Sequence, residues 1–220
     1  MLENMIKIWT RYDYVFINGL FGTLWLAAIT VLFGTILGTL IAMMRLSKFK
    51  VLHVLTTAYI EVLRGTPILL QLYFFWLLLP KVLPFTMSDT ACIIVALIVN
   101  SSSYVAEVIR AGIQAVDKGQ TEAAKSLGLS DRNTMRYIIL PQAVKNILPA
   151  LGNEFVVMIK ETSLASVFFV GELMTAYKTV QSTTFLALPS LTIAGIIYFI
   201  VTFIVSKLLK LFERRLQASD

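Results

Sequence analysis

Of the chain's 220 residues, 57% are hydrophobic and 15% charged, which excludes an ordinary soluble globular domain, where charged residues make up ~25%. The net charge of +6 invites a nucleic-acid reading, but the basic residues sit between long apolar runs rather than on one face. Cys92, the only cysteine, lies inside an apolar run, so no intrachain disulfide can form.

The start of the chain lacks a basic leader and a small-residue cleavage site, so no removable signal peptide is expected. Met5, Ile6, Ile8, Trp9, Tyr12, Tyr14 and Phe16 instead predict a segment lying at a membrane surface, where aromatic rings are favoured. A first uncharged span follows over about 19–44, with Gly34 and Gly38 four residues apart, a spacing that permits close helix contact in lipid. Arg45, Lys48 and Lys50 close it. A second apolar block, about 51–79, carries Glu61, Arg64 and Gln71, and its Gly65-Thr66-Pro67 predicts a kink or break. A turn over 80–88 leads to a third span, about 89–106, which contains Asn100-Ser101-Ser102-Ser103. A polar island over 107–146 comes next, then a fourth span, about 147–170, bearing Glu154, Lys160 and Glu161. A polar connection over 171–187 and a last span over about 188–209 complete the chain, with Phe212 to Arg215 as an anchor. Each span has the roughly 20 residues needed to cross a ~30 Å hydrocarbon core. The whole reads as a single membrane domain over 1–220, all-α, with five transmembrane helices and no internal repeat.

Orientation follows from lysine and arginine. With the N-terminus outside, thirteen of these residues fall in cytoplasmic segments (after the first span, in the polar island and at the tail). Only Lys7, Arg11, Lys81 and Lys178 fall on the other side. That bias is what the positive-inside rule requires, and it places the polar island and the C-terminus in the cytoplasm.

The island has its own local logic. Glu122 to Leu127 are good helix formers, and Gly128 is suited to leave that helix in the left-handed conformation. Ser130 can cap a second short helix, and a kink or break is expected at Pro141. A compact helix–turn–helix results, with Ala123 and Ala124 on its surface beside Glu122. Small side chains with a nearby charge suit docking better than catalysis.

Several chemistries are absent. No G-x-x-x-x-G-K-[ST] phosphate loop occurs, so ATP is not bound by that route. His53 is the only histidine, which excludes histidine-rich metal clusters and removes the usual activation of a serine nucleophile; it reads as an interfacial residue. The intramembrane charges remain. A single charge at the centre of a span costs about 2.5–3.5 kcal/mol on insertion scales, so those of the fourth span need partners or water. Glu154 and Glu161, seven residues and about 10 Å apart, share one helix face. Either that face lines a polar cavity that attracts a cationic group, or Lys160 or Arg64 neutralises the acids and the cluster only holds helices together. Glu61 and Arg64 are spaced for a helix-surface pair; Arg64 could alternatively grip a carboxylate with its guanidinium fork. Asn100 and the serines after it serve helix contact or line a polar cavity, and Phe74, Phe75 and Trp76 read as an interfacial aromatic belt.

The island also carries a resemblance. Glu122-Ala123-Ala124, then Gly128, Ile138 and Leu140-Pro141 at their spacing resemble the EAA loop of the permease subunits of ABC importers. Three further stretches, 59–67, 104–113 and 148–155, together with Lys160-Glu161-Thr162-Ser163-Leu164, are similar to the polar amino acid subfamily, the histidine/glutamine/arginine type. The resemblance covers most of the chain from residue 19 onward. It implies a type I ABC importer-like permease that forms half of a pathway for a polar amino acid, basic or dipolar, such as arginine, lysine, histidine or glutamine. Glu154, Glu161, Ser163, Arg64, Glu61 and Asn100 are the candidate substrate-binding residues. Glu122, Ala123, Ala124 and Gly128 are the candidate contacts to a cytoplasmic ATPase dimer. The resemblance further implies a second permease subunit, identical or related, an extracytoplasmic amino acid-binding protein, and a bacterial inner-membrane location. No cofactor is expected in this chain; ATP and Mg would be bound by the ATPase. Rival readings are an ATP-independent small channel or carrier, and a non-transporting scaffold.

Overall fold

The computed structural model describes residues 1–217, and among these the fold is entirely helical. In chain order the α-helices are α1 (Leu2–Arg45), α2 (Lys50–Gly65), α3 (Ile68–Val82), α4 (Asp89–Gln114), α5 (Lys118–Ser126), α6 (Asp131–Thr134), α7 (Leu140–Glu161), α8 (Leu173–Thr184) and α9 (Ala187–Gln217). A π-helical turn (Met135–Ile139) joins α6 to α7, and a 3-10 segment (Thr162–Phe168) continues α7.

The axis of the bundle is α1, which packs against α2, α4, α7, α8 and α9. Its buried stripe is built from small residues, Gly19, Thr23, Ala27, Thr30, Gly34, Gly38 and Ala42, recurring every three or four positions. Small residues on one face let neighbouring helices approach closely. A Cβ on Gly34 would stand 2.9 Å from Ser101 Oγ, and one on Gly38 would stand 2.7 Å from Ser102 O, so α1 and α4 meet almost backbone to backbone. The large apolar side chains of α1 point the other way: Phe21, Trp25, Leu32 and Leu40 are exposed. Small groups inside and large apolar groups outside suit a hydrocarbon surrounding.

Three described helices are long and apolar enough to cross a membrane: α1, α4 and the Ala187–Arg215 part of α9. The pair α2 and α3 meets the same standard only when taken together, across a 112° bend; α7 is not among them. The expected break at Gly65-Thr66-Pro67 is thus real and divides the second block into two helices. Several boundaries differ from expectation. The N-terminal aromatic segment joins the first span in one uninterrupted helix. The third span's helix runs eight residues further, to Gln114, because Glu107 and Arg110 are held by ion pairs among helices. The fourth block narrows to 3-10 geometry at Thr162, and the polar connection after it holds α8, started by Glu172 as an N-cap. At Pro141 the chain does not break. The proline stands in the first turn of α7, where a missing N–H leaves no bond unmade, and the π turn ahead of it absorbs the irregularity.

Phe75 and Trp76 pack on the buried cluster of Leu26, Leu72 and Leu97, and Trp76 Nε1 donates to Asp89 Oδ1 at 2.8 Å. Of the trio Phe74 is exposed and the other two are part-buried. His53 Nδ1 donates to Arg45 O at 2.9 Å and ties down the end of α1.

Candidate functional site

The break between α2 and α3 creates one wall of a cavity. Pro67 has no N–H, and its ring keeps Thr66 extended (φ −118, ψ 147), so α2 cannot continue. The carbonyls this strands are collected by Gln71 from the first turn of α3. Its Nε2 donates to Leu63 O at 2.7 Å and is shared with Thr66 O at 3.1 Å and Thr66 Oγ1 at 2.8 Å. Gln71 Oε1 in turn accepts from Asn100 Nδ2 at 2.8 Å. One glutamine therefore fixes the break and orients the asparagine of α4.

Opposite the break lies α7. The cavity, about 270 Å³, is bounded by Thr66, Pro67 and Ile68, by Asn100 and Tyr104 of α4, and by Glu154, Val157, Met158 and Glu161 of α7. Glu154 is 8% exposed, and its one hydrogen-bond partner among the described residues is Ser101 Oγ, 3.1 Å from Oε1. No lysine or arginine lies within ion-pair distance of Glu154 or Glu161 among the described residues. A buried carboxylate with a single neutral donor is held at a large desolvation cost. Glu161, part-buried on the same wall, adds a second acid to a cavity lined by no basic side chain.

The structure gathers Asn100, Glu154 and Glu161 as expected, and it separates the other candidates from them. Ser163 faces a different cavity, about 460 Å³, with Lys160 and Lys178. Lys160 and Glu161, successive residues, are turned about 100° apart by the helix and so serve different cavities. Lys160 therefore does not neutralise the acids. Glu61 is exposed and does not line the acid cavity. Nor does it pair with Arg64. Arg64 instead reaches Glu107 on α4, 3.9 Å away, and stacks over the Tyr104 ring at 5.5 Å. Tertiary proximity to α4 overrides the local spacing.

Gln71, Tyr104 and Glu107, given no role from sequence, border this region, and Ser101, read with its neighbours as helix contact or cavity lining, bonds Glu154. Tyr104 and Glu107 stood in a stretch singled out by resemblance, and their spacing from Asn100 (four, then three) was a signal that they share a helix face. For Ser101 the choice between helix contact and cavity lining depends on α7 lying opposite. Its neighbour Ser102 serves helix packing and accepts or donates to Tyr59 Oη at 2.8 Å.

In the polar island, α5 ends in a Schellman arrangement. Gly128 takes φ 82, its N–H donates to Lys125 O at 2.9 Å, and Leu129 N–H donates to Ala124 O at 3.1 Å. Ser130 then caps α6 by accepting from Asn133 N at 3.4 Å. Lys125 pairs with Asp131 across the turn at 3.0 Å and holds the Asp131 carboxyl below its usual range. Glu122 and Ala123 are exposed, but Ala124 is buried, against expectation, because its side of α5 packs inward. The exposed face of the helix–turn–helix is therefore Glu122, Ala123, Leu127 and Gly128, with Leu127 81% exposed.

These features fit a transport subunit that pairs a polar cavity between membrane helices with an ordered helical loop beyond them. Residues 34–218 match the family described as binding-protein-dependent transport system inner membrane component, and the chain belongs to that family. It is 38% identical to the arginine transport system permease protein ArtQ of Bacillus subtilis, over 93% of each chain. It is 36% identical to the putative glutamine transport system permease protein GlnP of Rickettsia conorii, over 98% of this chain and 99% of that one. Among solved structures it superposes on an amino acid ABC transporter determined with histidines, with a TM-score of 0.90 and 46% identity over 94% of this chain and 96% of the other. An inward-facing methionine ABC transporter shares the fold at a TM-score of 0.76 and 14% identity, over 92% of this chain and 96% of the other. The chain is thus a permease component of the ABC importer type; in this family ATP hydrolysis is the work of a separate subunit.

Proposed function

We propose that the chain forms half of a translocation pathway for a basic or dipolar amino acid, such as arginine, lysine, histidine or glutamine, driven by a separate ATPase. The observation that carries this reading is the cavity at the α2–α3 break, where Glu154 and Glu161 face a common space with no basic side chain to neutralise them. A guanidinium, imidazolium or ammonium group supplies the missing charge, and Asn100 offers polar contact beside it. The named substrates of the relatives, arginine and glutamine, are of the same class.

In this reading the domain spans 1–220 and crosses the membrane five times, with α2 and α3 as one broken crossing and α7 as another. The N-terminus lies outside and the C-terminus in the cytoplasm. The cytoplasmic coupling loop, read from sequence as 107–146, begins in earnest after Gln114 and presents Glu122, Ala123, Leu127 and Gly128 to an ATPase dimer that binds ATP and Mg. A second permease, identical or related, completes the pathway, and an extracytoplasmic binding protein delivers substrate. ATP closes the ATPase dimer, the docked loops follow, and the cavity opens alternately to either side.

The test is uptake by vesicles containing the complete complex. Glu154→Gln keeps the size of the side chain and removes its charge. Apparent affinity for a cationic amino acid should fall by about ten- to a hundredfold, the range of a charge-assisted contact of about 1.5–3 kcal/mol. Unchanged affinity would remove the carboxylate from the site, and transport indifferent to ATP would favour the carrier reading.

A further inference from the structure

Along one face of α4 three residues follow at spacings of four and three: Asn100, Tyr104 and Glu107. The first two line the acid cavity. The third, about 10 Å from the first by helix rise, gathers three arginines. Arg45 from the end of α1 donates to Glu107 Oε2 at 2.5 Å. Arg110, one turn along α4, donates to both carboxylate oxygens, through Nε at 3.1 Å and through a second nitrogen. Arg64, from the end of α2, approaches Oε1 at 3.9 Å while stacked over Tyr104.

The stoichiometry is unbalanced. One carboxylate faces three guanidiniums from three helices, and Arg45 Nε is buried without an acceptor. The cluster sits directly beyond a cavity lined by two acids. Arg64 is the member nearest that cavity, since Thr66, two residues on, and Tyr104, beneath its guanidinium, are both part of the wall. It is also the most loosely held, with its side chain 43% exposed. Arg64 thus brings a positive charge to the edge of the cavity.

We propose that Glu107 is a specificity-determining positioning residue: by drawing Arg64 off the cavity mouth and partly neutralising the three arginines, it keeps that mouth passable to cations. It touches no substrate. It acts through Arg64, and removing its charge would turn the same arginines into a barrier to positive solutes. The inference rests on the reading of the cavity as a passage for cations, but its test does not need the substrate.

The test uses the assembled complex in nanodiscs, with Cys92→Ser and a cysteine at the cavity wall, Thr66→Cys. Its rate of modification is measured with a cationic (trimethylammonium-ethyl) and an anionic (sulfonatoethyl) methanethiosulfonate. Glu107→Gln should lower the cationic-to-anionic rate ratio by about three- to tenfold at low ionic strength, less at high salt, as a change of one charge at this distance requires. Arg64→Gln added to it should return the ratio towards its starting value. Arg64→Gln alone should raise the ratio, which keeps the test decisive if Glu107→Gln fails to assemble. A purely structural role would change both rates together. A ratio unmoved by either substitution, or a loss that Arg64→Gln does not reverse, overturns the inference. A shifted ratio in a complex that transports no basic or dipolar amino acid would instead sink the substrate reading alone.

Discussion

Two buried glutamates are treated very differently: Glu172 is tied into the fold, and Glu154, proposed above to bind, is left largely open. Glu172, fully buried at the start of α8, is hydrogen-bonded through both oxygens. Oε1 accepts from Thr175 N at 2.6 Å and stands 3.0 Å from Thr175 Oγ1, whose shorter bond goes to Val170 O; Oε2 accepts from Met174 N at 2.7 Å and Tyr198 Oη at 2.9 Å. Glu154, nearly as buried, has one serine hydroxyl and an open cavity. Burial is common to both, so burial does not mark the site. What marks it is the unfinished coordination: a saturated carboxylate has nothing left to offer a ligand, whereas an unsaturated one gains from any donor that arrives.

The contrast can be broken at either end. Glu172→Ala strands two backbone N–H groups and the Tyr198 hydroxyl, at a cost of about 3 kcal/mol or more. The purified complex should lose yield and unfold at a markedly lower temperature in detergent. A wild-type melting point would mean those bonds hold nothing. Gly38→Val attacks the other packed region, the α1–α4 seam, where even a Cβ meets Ser102 O at 2.7 Å. Overpacking of this kind costs about 1–3 kcal/mol, and it should appear as instability without a selective change in substrate preference. Glu154→Gln should do the reverse, leaving the melting point equal or higher because a buried charge is gone. A large loss of stability there would move Glu154 into the same class as Glu172. A modest loss of stability is expected at Gly128→Val, which forces a β-branched residue into φ 82 at about 1–2 kcal/mol of local strain with no clash, since nothing stands within 4 Å. Its signature is functional: ATP hydrolysis should persist while uptake per ATP falls. Uptake fully coupled in that variant would deny the turn a mechanical role.

Much of the frame was readable from the residues. Runs of apolar residues, the Gly65-Thr66-Pro67 break, the Gly34 and Gly38 spacing and the Gly128 turn each express a constraint that acts within a few positions of the chain. Asn100, Glu154 and Glu161, singled out because charge and amide in an apolar span demand an explanation wherever they stand, line one cavity. Ser163, Glu61 and Arg64 were misplaced. Ser163 lines a cavity with Lys178 from α8, Arg64 turns from Glu61 to Glu107 of α4, and Glu61 is left exposed. Ala124 failed for a similar reason, because which side of a short helix packs inward depends on what lies behind it.

The order of residues alone thus determined where helices start, stop and bend, and which stretches must leave water, since hydrophobicity, proline geometry and glycine's left-handed freedom are properties of the local chain. Which carboxylate is saturated and which is left open was decided only by the fold. Each of Glu154, Glu172 and Glu107 has a hydrogen-bond partner 26 to 62 residues away in the chain, Ser101 for Glu154, Tyr198 for Glu172 and Arg45 for Glu107, and no local pattern encodes distances of that kind.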